Sequence, residues 1–136
     1  GALGLSQAMF SVGLAELLAQ GLNYLVGGLG PMAALVLIYI VTWLVTELVT
    51  NNAAAALMFP IAYAAAEALG VSPYPFFMAL AFGASASFLS PYGYQTNLMV
   101  YSAGNYRVRD YVKAGLPVLI GYSVTALVMI PIAFPF

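Results

Sequence analysis

The sequence predicts an all-α integral membrane fold: a re-entrant helical hairpin, then a broken transmembrane helix, then a final transmembrane helix. Three observations predict it. The composition is 64% hydrophobic and 5% charged, with a mean hydropathy of +1.00, whereas a soluble domain keeps roughly a quarter of its residues charged. Long apolar segments recur, one with its polar residues gathered on a single face. Two polar stretches, "TELVTNN" and "SPYGYQTN", interrupt these segments where a membrane interior would hold no water.

Residues 1–136 read as a single transmembrane fragment. The chain begins at Gly1 without Met and lacks the charged n-region of a signal peptide. The expectation is therefore a piece, the C-terminal part, of a longer polypeptide. Cys and His are both absent, which removes disulfides, the usual zinc sites and His- or Cys-based catalysis. A net charge of −1 excludes an electrostatic nucleic-acid binder. No His, Cys or Asp stands inside a span to partner a Ser or Glu, so an enzyme is not expected.

Residues 1–22 are expected to form a helix near the membrane interface. "GLNYLVGGLGP", 21–31, is a Gly-rich break containing Asn23 and Pro31. A hairpin over 31–70 follows. Its first arm, "MAALVLIYIVTWLVTELV", is about 27 Å long as a helix, close to a hydrocarbon core. Tyr39, Thr42, Trp43, Thr46, Glu47 and Thr50 follow helical spacing and share one face. In lipid such a stripe points towards protein or a wet cavity. The second arm is rich in Ala, which suits close packing inside the protein. The tip lies at 50–52.

Residues 73–104 would make one helix roughly 48 Å long, too long for a simple span. Pro91 and Gly93 predict a break, placed over 90–97. The loop 105–115 holds all three basic residues, Arg107, Arg109 and Lys113. By the positive-inside rule it is cytoplasmic, so the last helix, 116–134, runs outward and the C-terminus lies outside an inner or plasma membrane.

Each polar break contains a Thr-Asn pair before new helix: Thr50-Asn51 and Thr96-Asn97. Thr and Asn are good N-caps, and capping alone is the plain reading. At membrane depth, however, irregular backbone survives only inside protein or along a cavity. Two helix N-termini there present free N–H groups and about half a positive charge each, an anion site without a basic side chain. Freed carbonyls near Pro91–Gly93, with Asn51, Thr46 and Thr50, are hard oxygen ligands for a small cation such as Na⁺. Glu47 is the acid well inside a span, read as a structural or coupling group.

At these residues the chain resembles the divalent-anion:sodium symporter family. "TELVTNNAA" is similar to that family's T-E-x-x-S-N-T segment. "SPYGYQTNLMVYSAG" resembles its unwound helix, most of all in the sulfate-type permeases. The resemblance implies half of an inverted-repeat transporter, its mirrored N-terminal half missing here, and a homodimer in the lipid bilayer. It implies cation-coupled symport of a divalent oxyanion such as sulfate. By position, Thr46, the carbonyl of Val49, Asn51 and the carbonyl of Gly93 would hold Na⁺. Asn51, Asn52, Tyr94, Gln95 and Thr96 would meet the substrate, with Asn97 beside them in the second Thr-Asn pair. Asn52 stands where the family has Thr. Tyr94-Gln95-Thr96 stands where dicarboxylate carriers have Thr-Pro-Pro, which favours sulfate over a dicarboxylate. The alternatives are a dicarboxylate symporter, proton-coupled efflux or antiport through Glu47, and a non-transporting membrane scaffold.

Overall fold

A computed structural model describes residues 1–26 and 28–136. All regular structure among them is helical: α1 (Ala2–Ser11), α2 (Leu14–Val26), α3 (Pro31–Leu48), α4 (Asn51–Leu69), α5 (Tyr74–Ala84), α6 (Gln95–Gly104) and α7 (Val108–Ala133). Of these, α3, α4 and α7 are long and apolar enough to cross a membrane.

The expected helix over 1–22 is two helices. Gly13 takes φ +70°, a left-handed conformation that glycine adopts without penalty, and the chain turns there. The Gly-rich break is shorter than 21–31, because α2 runs through Gly21 to Val26; its Gly27 lies outside the described residues. α1 and α2 both pack on α4, with Ala15 and Ala19 of α2 buried.

α3 and α4 form a helical hairpin. Pro31 opens α3 at a position where a missing N–H costs nothing. Val49 ends it in extended conformation. Thr50 begins α4, its Oγ1 accepting the N–H of Ala53 at 3.3 Å. The polar stripe of α3 turns inward: Tyr39, Thr42 and Thr46 are buried. It packs on α5, where Gly83 lets the helices touch. A Cβ on Gly83 would sit 2.8 Å from the Tyr39 carbonyl oxygen and 3.2 Å from Thr42 Cβ. The small residues of α4, Ala62, Ala64, Ala65 and Ala66, are buried beneath them. α7 closes against α5, and the Tyr39 hydroxyl meets Ser123 Oγ at 2.8 Å.

Two boundaries differ from expectation. The break in 73–104 spans 85–94 and not 90–97, since α5 already ends at Ala84 and α6 already begins at Gln95. The region 105–115 is mostly helix. Asp110 Oδ2 accepts the Arg107 N–H at 2.8 Å, a carboxylate that closes the first turn of α7 at Val108, which carries Arg109 and Lys113 in its first turns.

Candidate functional site

Four helix ends converge at the hairpin tip and the break. On one side, α4 begins at Asn51 and α6 at Gln95. Both N-termini open on a cavity of about 600 Å³ lined by Thr50, Asn51, Asn52, Tyr92, Gly93, Tyr94, Gln95, Thr96 and Leu98. Free N–H groups and the positive ends of two helix dipoles therefore face one space. The Asn51 amide reaches the Tyr94 hydroxyl at 3.4 Å, linking tip to break across the cavity wall. A second groove, about 310 Å³ between α5 and α7, is lined by Phe82, Tyr122, Met129 and Phe134 among others and lies away from these polar groups.

On the other side the C-terminal ends of α3 and α5 meet. Thr46 Oγ1 donates to the Ala84 carbonyl at 2.8 Å. Ala84 closes α5, so its carbonyl has no partner within the helix. Gly93 is buried against the same turn. A Cβ there would lie 2.6 Å from the Thr46 carbonyl oxygen and far inside contact with Ser87. No residue but glycine fits that approach.

Glu47 ties the break to α3. Its Oε1 accepts from Trp43 Nε1 at 3.1 Å and from the Leu89 N–H at 3.2 Å. Its backbone carbonyl accepts from Ser90 Oγ at 3.1 Å, and Ser90 Oγ in turn accepts the Gly93 N–H at 3.3 Å. Its second oxygen, Oε2, is buried with no partner among the described residues.

The structure thus brings Asn51, Asn52, Tyr94, Gln95 and Thr96 to one cavity, and Thr46 and Gly93 to the wall behind it; Val49 forms the bend between α3 and the tip. Asn97 departs from expectation. It does not cap a helix, because α6 begins two residues earlier with Tyr94 at the cap, and it does not line the cavity. Its amide donates instead to the carbonyls of Ser87 at 3.2 Å and Ser90 at 3.4 Å. These are freed carbonyls of the unwound segment, and binding them holds its shape. The carbonyl of Asn97 accepts from Tyr111 of α7 at 2.7 Å. Ser87, Ser90 and the Ala84 carbonyl carry much of the geometry. Their only sequence signal was a Ser-rich run before Pro91.

A polar-tipped hairpin facing a broken helix, within a bundle of span-length apolar helices, is the architecture of an integral membrane transporter. A family model described as citrate transporter matches residues 1–136. The chain belongs to that family. It is 45% identical over 126 residues to sodium/sulfate cotransporter 1 of Chlamydomonas reinhardtii, covering 92% of this chain and 14% of that protein. It is 40% identical over 136 residues to the uncharacterized transporter YfbS of Escherichia coli K12, covering all of this chain and 22% of that protein. A Synechocystis transporter, sll0640, is 42% identical over 132 residues, 96% of this chain and 22% of its own length. The chain therefore spans less than a quarter of these relatives. The resemblance read from "TELVTNNAA" and "SPYGYQTNLMVYSAG" holds, and the relatives are transporters and not enzymes.

Proposed function

We propose that this chain is one repeat within the membrane part of a secondary transporter that carries sulfate together with Na⁺ by alternating access. The observation that carries this reading is the polarity of the four helix ends. Two N-termini open on the cavity, and two C-terminal turns are bonded behind it through Thr46 and Ala84. Half-helix N-termini suit an anion, while C-terminal ends and unwound carbonyls suit Na⁺.

The charge balance points the same way. Two N-termini supply roughly one positive charge between them, and Arg107, Arg109 and Lys113 are not among the residues that line the cavity. A dianion in the cavity keeps an uncompensated charge that a bound cation offsets. The groups at Thr46, Val49, Asn51 and Gly93 offer oxygen donors alone, the chemistry a hard cation requires. The buried hydroxyl of Ser87 beside Gly93, without a partner among the described residues, adds a further oxygen ligand. The residues therefore fit Na⁺. The names of the Chlamydomonas relatives favour Na⁺ and sulfate, and so does Tyr94-Gln95-Thr96 in place of Thr-Pro-Pro.

α6 contributes no buried residue, so this side of the site lies open. A mirrored N-terminal half is the natural cover, and the whole would act as a homodimer in an inner or plasma membrane. Arg107, Arg109 and Lys113 would mark the cytoplasmic side, with the C-terminus outside. The test is thermal unfolding of the full-length parent. Sulfate should stabilise it in NaCl and fail to do so in choline chloride of equal strength. Equal stabilisation in both salts contradicts the coupling.

One observation favours a second reading. The unpartnered Oε2 of Glu47 is a place for a transported proton. Glu47→Gln separates the two readings.

A further inference from the structure

We propose that the Ser87 hydroxyl is a ligand of the cation site behind the hairpin tip, alongside the Thr46 carbonyl, and that it sets how tightly that site holds Na⁺. This rests on the cation-coupled reading above and assigns a residue that neither the sequence motifs nor the resemblance points to.

Ser87 is 2% exposed. Its Oγ is buried and makes no hydrogen bond to any described residue. Such a group is costly to leave alone, and native proteins complete nearly all of them. Several polar groups of the same segment are completed. Ser90 Oγ both donates and accepts. The carbonyls of Ser87 and Ser90 are held by Asn97. Among the described side chains of the segment, Ser87 Oγ is the buried polar atom left without a partner.

Its position is narrowly bounded by Gly93. A Cβ on Gly93 would lie 1.8 Å from Ser87 Oγ and 2.6 Å from the Thr46 carbonyl oxygen. The two oxygens are therefore at most about 4.4 Å apart, the two distances laid end to end. Oxygens at that spacing can both contact one small cation. The Thr46 carbonyl belongs to the last turn of α3, where carbonyls lack a helical partner and the dipole is negative. The Thr46 hydroxyl spends its proton on Ala84, so its lone pairs remain for a cation. Glu47 borders the same segment through Leu89 and keeps a buried carboxyl oxygen without a partner. The surroundings are oxygen-rich, as a hard cation prefers.

The experiment is a Na⁺ titration of the full-length parent, read by thermal unfolding, with choline chloride holding ionic strength constant and no sulfate present. A ligand that binds the native state raises the midpoint, and the rise grows with the logarithm of ligand concentration above Kd. The wild type should be stabilised by Na⁺. Ser87→Ala should need at least about tenfold more Na⁺ for the same rise, the scale lost when even an outer partner of a metal site is removed. In choline its stability should equal or exceed wild type, because a buried unpartnered hydroxyl has been deleted. If the alanine variant loses its fold, Ser87→Cys is read in the same way, since sulfur is a poor ligand for a hard cation. A variant that titrates at the wild-type Na⁺ concentration overturns the Ser87 assignment alone. A wild type that ignores Na⁺ overturns the cation-coupled reading, and this inference with it.

Discussion

The hydroxyl of Thr46 donates to the carbonyl of Ala84 at 2.8 Å, joining the last turns of two helices whose residues stand 38 apart in sequence. Thr46 is fully buried. The bond completes a carbonyl that α5 cannot satisfy itself and draws the break against the hairpin. Thr46→Val keeps the shape and deletes the donor. It should lower stability by about 1–3 kcal/mol, the cost of an orphaned buried acceptor, measured by unfolding of the full-length parent without Na⁺. An unchanged midpoint would show that this bond does not hold the ends together.

Capping and binding separate at the tip. Thr50 accepts from Ala53, while Asn51 faces the cavity. Thr50→Ala should cost about 1 kcal/mol of stability, as loss of a cap does. Asn51→Ala should leave stability near wild type and abolish the stabilisation by sulfate in NaCl. A purely structural scaffold gives the opposite for Asn51, a stability loss and no ligand effect.

Asn97 holds two carbonyls of the unwound segment without touching the cavity. Asn97→Ala should lower the unfolding midpoint, and Asn97→Asp should lower it further because a carboxylate turns acceptors on acceptors. Both should weaken transport through the shape of the break. A variant with full stability and lost sulfate binding would return Asn97 to the substrate.

Glu47 accepts from Trp43 and Leu89 through one oxygen. A glutamine carbonyl can take both bonds. Glu47→Gln should therefore keep its fold and most of its Na⁺-driven sulfate uptake. Glu47→Ala leaves both N–H groups unbonded and should be destabilised. Complete loss of uptake in a folded Glu47→Gln variant would favour proton coupling.

Gly83 lets α5 approach α3. A methyl there would press on the Tyr39 carbonyl at 2.8 Å. Gly83→Ala should destabilise by about 1–3 kcal/mol, the cost of overpacking, seen as a lower unfolding midpoint. No change would mean the helices separate more freely than their packing indicates.

The hairpin was legible because its signals are local. A stripe at helical spacing, Pro31 at the start of α3 and Thr50 before four alanines state both arms and the tip. The break was half legible. Pro91 and Gly93 announced it, but its true start at Ser85 depends on Thr46, and its internal bonding depends on Asn97. Both are contacts over distances in sequence that periodicity does not register. The start of α7 was hidden for a different reason. Arg107 has no side-chain acceptor to cap a helix, and the turn is closed by Asp110 three positions on. Ser87 was visible only as one serine of the run before Pro91. Its significance comes from the partners it lacks.

The most direct measurement is labelled sulfate uptake into liposomes holding the full-length parent, with and without an inward Na⁺ gradient, beside Asn51→Ala. Two opposed pairs of helix ends predict uptake driven by the gradient and lost in the variant. Uptake indifferent to Na⁺, or unchanged by Asn51→Ala, would contradict the assignment of cation and anion to one shared site.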